Sequence, residues 1–169
     1  MRKRINIIIG LCLLIVVSCQ TKTENKTDQS VETQAIEGEL YFKLISLGSF
    51  YHVPDSTIKK FESMMDSLNN QENISEQDQK LIVTIKILKE NDLIKKPFFH
   101  LKIDSTQIVT VYVSEEEYEK VKQFDRQKLI NENKKVDVYL KGRIIEEGIV
   151  DCYEILSTEK VDGKTYWRK

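Results

Sequence analysis

Asp151-Cys152 and His100 are the residues whose types come nearest to a catalytic set: a carboxylate, a thiol and an imidazole. A nucleophilic cysteine needs a neighbouring base and a lowered pKa. Cys152 instead stands in an apolar, strand-like run between Asp151 and Tyr153. The adjacent carboxylate opposes a thiolate, and a small core residue is the simpler reading. The two histidines, His52 and His100, form no HxxxH or HxxE spacing and join no cysteine cluster, so no metal site is expected. There is no GxSxG elbow. The six glycines are scattered and make no phosphate loop. Glu115, Glu116, Glu117 and Glu119 are the densest carboxylates. They fall where a helix should start, and its dipole favours negative charge there. A glycosidase pair would have to face across a cleft. The sequence therefore points to no catalytic residue, no metal and no cofactor.

Two groups of side chains are better suited to binding. Between Lys80 and Lys102 stand six lysines against Glu90 and Asp92. Lys86, Lys89, Lys95 and Lys96 form a candidate face for anionic lipid or an acidic partner. The plainer reading is a solvated helix face. Aromatic residues gather in the strand-like segments. Tyr139, Tyr153 and Trp167 form a candidate contact surface, because Tyr and Trp are enriched at interaction hot spots.

The start of the chain bears on where such binding would occur. MRKR is basic, and the apolar run Ile5 to Val17 is 13 residues long. A spanning helix needs about 20. A basic start and a short apolar core ending in a small residue describe a secretory signal peptide. Val16-Val17-Ser18-Cys19 resembles the lipobox of bacterial lipoproteins. That resemblance covers only the first 19 residues. It implies cleavage between Ser18 and Cys19, a diacylglyceryl group on the Cys19 thiol and further acylation, as by palmitate. Two or more chains hold a protein stably on a bilayer. The expected location is the cell membrane or outer membrane, with the domain outside the cytoplasm and facing the periplasm. Gln20 after the cysteine resembles outer-membrane sorting. Processing would leave 23 basic and 27 acidic residues, a net charge of about −4. That balance and export both argue against a nucleic-acid partner. Only Cys19 and Cys152 would remain, so no intramolecular disulfide is expected.

These residues must be positioned by a polar tether over 19–36 and one domain over 37–169. The tether, rich in Thr, Gln and Lys, lacks the apolar content to fold. From residue 39, ELYFKLISLGSFYHV reads as a strand with a bend at Gly48. Asp55 or Ser56 is placed to cap a helix bearing Ile58, Phe61, Met64 or Met65, and Leu68 on one stripe. Ser75 and Asp78 begin a second helix with Leu81, Ile82, Ile85 and Leu88. PFFHLKID and QIVTVYV form a hairpin turning at residues 104–106. Ser114 and Glu117 make a capping box for a third helix, and DRQKLINENKK gives a short helical turn and loop. VDVYLKGRII, GIVDCYEILSTEKV and KTYWRK are the closing strands, with turns at Gly148 and Asp162-Gly163. The order β-α-α-β-β-α-β-β-β predicts an α+β fold: a mostly antiparallel sheet of about six strands with three helices. The last part faintly resembles an OB-like small barrel, the alternative fold.

The function expected from the sequence is that of a non-catalytic, membrane-tethered envelope module with an envelope protein partner. The rivals are a small envelope hydrolase using Asp151, Cys152 and His100, and a protective lipoprotein that sequesters another protein.

Overall fold

The structure, a computed structural model, describes residues 32–42, 50–70 and 73–164. Five strands and four helices occur among them: β1 (Gln34–Tyr41), α1 (Asp55–Asn69), α2 (Glu76–Glu90), β2 (Phe98–Lys102), β3 (Ile108–Tyr112), α3 (Glu115–Lys122), α4 (Arg126–Glu132), β4 (Lys134–Glu146) and β5 (Ile149–Asp162). The class is α+β, as expected. The strands close into a barrel in the order β1-β2-β3-β5-β4. All neighbours are antiparallel except β3 and β5, which run parallel. A parallel pair needs a long crossover; here it runs through α3, α4 and β4.

Among the described residues, five strands in a closed barrel replace the expected sheet of about six strands. The small-barrel alternative fits, but the barrel is not confined to the C-terminal part, since β1, β2 and β3 belong to it. The physical reason lies in β4 and β5, 13 and 14 residues long. Each is long enough to bend and pair on both sides, and closure removes exposed strand edges. Register shifts at Tyr139/Leu140, Lys141/Gly142 and Ile144/Glu146 mark the bends. Gly142 permits one of them: a Cβ there would lie 2.7 Å from the Asp151 carbonyl oxygen. β1 begins at Gln34, inside the segment read as tether. The predicted strand KTYWRK lies past β5 and, beyond Lys164, outside the described residues, as do Gly48 and the proposed signal and lipobox.

Alternation along β4 explains the barrel core. Val136, Val138 and Leu140 point inward, while Tyr139 and Lys141 are exposed. The inward residues meet Leu101, Val111, Val150 and Cys152, all at most 3% exposed. Val121 of α3 and Leu129 of α4 plug the same core. Burying each such Leu or Val side chain contributes about 1.5–3 kcal/mol.

The helix starts follow the sequence with two corrections. Ser75 caps α2 by accepting the Asp78 N–H, as its sequence predicts. Neither Asp55 nor Ser56 caps α1: Pro54 is the N-cap, and its side chain has nothing to offer. Ser114 accepts the Glu117 N–H as expected. The Glu117 carboxylate, however, does not return to the cap. It is buried, accepts the Ile155 N–H of β5 and pairs with Lys120 at 2.8 Å. Lys120 Nζ in turn donates to the Ile155 carbonyl at 3.1 Å. This pair of side chains thus satisfies both backbone groups of a β5 residue lying beyond the three that β3 pairs. A capping motif has become a tertiary tie because β5 passes alongside it.

A second apolar layer lies outside the barrel. The α1–α2 hairpin, inserted between β1 and β2, covers the outer faces of Phe98 and Tyr112. Ile85, Leu88 and Leu93 are its buried centre. Met65, not Met64, belongs to the buried stripe of α1. Among the described residues, no helix is long and apolar enough to cross a membrane.

Candidate functional site

The layer beneath the hairpin is incompletely filled. It holds a pocket of about 340 Å³. The helices line it at helical spacing, with Thr57 and Phe61 from α1 and Leu81, Thr84, Ile85 and Leu88 from α2. Phe98 and Tyr112 form its barrel wall, and Phe50, Val53 and Ile94 close it from the connections. The rings are already engaged with one another. Phe50 and Phe61 lie 4.9 Å apart between centroids, and Phe98 and Tyr112 lie 5.5 Å apart, both pairs tilted.

The polar atoms of the lining are few. Thr84 turns its hydroxyl back to the Lys80 carbonyl at 2.8 Å. Burial pushes the Tyr112 phenol up to about 12, so it stays neutral. Thr57, at the edge, is exposed. Among the described residues, no carboxylate, amine, imidazole or thiol lines the pocket. The volume falls in the range of small-molecule sites, about 300–1,000 Å³. Three other hollows, about 380, 490 and 290 Å³, are more open and are lined in part by charged side chains. Lys135–Asp137 in the first and Lys80–Glu76 in the second are already ion-paired, at 2.7 and 2.8 Å.

Polar contacts hold the hairpin over the pocket. Asp151, buried on the outer side of β5, accepts from Lys96 at 2.7 Å. Arg143 approaches the same carboxylate at 3.8 Å and donates to Asn91, the C-cap of α2, at 3.1 Å. Glu62 and Lys89 join the two helices at 3.0 Å, and Lys95 pairs with Asp55 at the start of α1. A buried carboxylate with two cations beside it is costly to break, because the survivors stay desolvated.

No family model, curated protein or solved structure matches this chain. Its site is therefore read from its own residues.

The lysines singled out in the sequence lie around this layer. Each faces a carboxylate: Lys86 with Glu90 at 3.9 Å, Lys89 with Glu62, Lys95 with Asp55 and Lys96 with Asp151. Lys89, Lys95 and Lys96 tie the hairpin region to neighbouring segments, whereas Lys86 pairs within α2. Tyr139 and Tyr153 are exposed on β4 and β5. Tyr153 and Leu156 fall at the register shifts, which turn them outward. Trp167, Ser18 and Cys19 lie outside the described residues.

The structure does not bring Asp151, Cys152 and His100 together as a set. Cys152 faces the barrel core, where burial pushes its thiol up to about 12. Asp151, next to it, points the other way into its ion pair. His100 lies on the outer side of β2 against the Thr110 hydroxyl, 3.2 Å away. His52 is exposed, with its ring 3.7 Å from that of Tyr51. Among the described residues, no group of three metal-ligating side chains forms.

The pocket was only half legible in the sequence. Phe61, Leu81, Ile85 and Leu88 belong to the expected helix stripes and read as core. Thr57 and Thr84 carried the missing signal. Small polar residues on an apolar stripe fill less space than Leu or Ile would, but only the packing of three elements shows that the space is left open.

Proposed function

We propose that this protein is a lipid-tethered, non-catalytic binding module of the bacterial cell envelope. Its signal peptide, residues 1–18, directs export. Lipid on Cys19 holds it to the cell membrane or outer membrane, and the segment after Cys19 is its tether. The membrane is thus its first partner, and nucleic acid is not one. We read the barrel as OB-like, a reading supported by its five strands, its closure and the helices between β3 and β4.

The observation that carries the binding role is the pocket under the hairpin. Among the described residues it offers apolar surface and three hydroxyls, with no carboxylate, amine, imidazole or thiol. Such a lining suits holding an apolar ligand. The test uses the full chain with an environment-sensitive naphthylamine fluorophore. One equivalent should bind and brighten, and Thr57→Trp should abolish the signal by filling the entrance. Radiolabelled palmitate should enter the wild type and not Cys19→Ala. Absence of fluorophore binding, or turnover of an envelope substrate, would overturn the binding role; palmitate in Cys19→Ala would overturn the anchor.

A second reading rests on a separate observation. Tyr139, Tyr153 and Leu156, 39–46% exposed on the long β4–β5 hairpin, supply an aromatic and aliphatic surface suited to an envelope protein partner. A protective module that sequesters a protein would use the same surface.

A further inference from the structure

The lining also narrows the ligand, on the premise that the pocket is a binding site. A buried polar group costs free energy unless it is hydrogen-bonded. Among the described residues, the pocket offers few groups to bond with: the Thr84 hydroxyl is committed to Lys80, and the remaining hydroxyls belong to the exposed Thr57 and to Tyr112. The buried part of a ligand must therefore be hydrocarbon. A slot between parallel ring faces would favour a stacked, flat ligand. The aromatic side chains here are instead tilted against one another by 53° and 51°. Between them lie the irregular surfaces of Leu81, Ile85 and Leu88, which a flexible chain can follow.

Size sets the number of chains. A cavity of about 150 Å³ accepts benzene, six carbons. By proportion, 340 Å³ accepts roughly 13 carbons. That is one chain of medium length and too little for two. Charged side chains follow the lining residues directly in sequence: Glu62 after Phe61, Lys89 after Leu88 and Lys95 after Ile94. These lie in exposed or half-exposed ion pairs, a polar surround beside an apolar interior.

We propose that the pocket under the α1–α2 hairpin takes the hydrocarbon chain of a single-chain amphiphile, a fatty acid or lysophospholipid, and leaves the polar head in solvent. The full chain in bacterial membranes would be exposed to a photoactivatable palmitic acid, a lysophosphatidylcholine and a diacyl phosphatidylcholine carrying the same diazirine chain, and a diazirine sterol. Cross-linked peptides would be mapped by mass spectrometry. The two single-chain probes should label peptides holding Phe61, Leu81, Ile85 or Leu88. Thr57→Trp should lower that labelling at least tenfold, while Val83→Trp, exposed and outside the pocket lining, should leave it unchanged. Unlabelled dodecanoate should compete at least tenfold better than hexanoate, a comparison that needs no variant. Preferential labelling by the diacyl or sterol probe, equal labelling of both variants, or no dependence on chain length would overturn the proposal. The naphthylamine fluorophore separates the two levels. Fluorophore binding without acyl labelling removes the chain and leaves the pocket role standing. Loss of both removes both.

Discussion

The barrel interior and the layer beneath the helical hairpin are both apolar, yet they are built differently. Inside the barrel, Leu101, Val111, Val138 and Leu140 have no exposed surface, and the strands that carry them hydrogen-bond on both sides. Under the hairpin, Ile85 and Leu88 keep 6–8% exposure, and a space of about 340 Å³ remains beside them. A closed barrel fixes the distance between facing side chains through strand geometry, so its core fills. A helix pair resting on a curved outer wall has no such constraint, and its separation from the wall is set by side chains and by ion pairs at its ends. The better-packed region carries the fold; the looser one is free to receive something.

The largest test of this contrast removes a leucine from each region. Leu140→Ala should cost about 2–5 kcal/mol, because rigid strands cannot collapse onto the void. Leu88→Ala should stand at the lower end or below, because it enlarges an existing space and the hairpin can settle. Urea denaturation of the full chain measures both, and equal losses would erase the distinction.

A smaller effect comes from the polar ties. Asp151→Ala strands Lys96 and Arg143 and should cost about 1.5–3 kcal/mol. Glu117→Ala frees the Ile155 N–H and should cost about 1–3 kcal/mol. Their locations should differ more than their sizes. Hydrogen exchange should quicken across α1 and α2 in the first variant and along β5 and α3 in the second. A uniform loss of protection in both would mean that the two regions open as one.

The mildest test is alkaline. Burial raises the Cys152 thiol from 9.0 to about 12 in the barrel and the Tyr112 phenol from 10.0 to about 12 under the hairpin. Both are neutral when protonated, so the folded state retains protons that the unfolded chain releases. Below about pH 9 neither contributes a pH dependence. From pH 9 to 12 stability should fall as pH rises. A thiol reagent at pH 8 should spare Cys152 until the protein is unfolded. Rapid modification of the native chain would place Cys152 outside the closed core.

The elements were largely legible because local chemistry decides them. Ser75 with Asp78, Ser114 and the Asp104 turn, whose carboxylate accepts the Thr106 N–H at 2.7 Å, each act within a few residues. The run VDVYLKGRII likewise read as a strand, and it lies within β4. Glu117 shows the limit. Its position in a capping box was visible, but its carboxylate found Ile155, 38 residues away in sequence. The lysines from 86 to 96 show it again: their charge was visible, and the carboxylates that take it up at Glu62, Asp55 and Asp151 were not.

The sequence by itself determined most of the helices and strands and the apolar stripes of α1 and α2, because periodicity and caps are properties of neighbouring residues. Only the tertiary structure decided that the strands close into a barrel and that the hairpin stands off its wall. Closure depends on pairing between distant strands, β1 with β4 and β3 with β5. A cavity is a difference between the volume that elements enclose and the volume their side chains fill, and no stretch of sequence holds both terms.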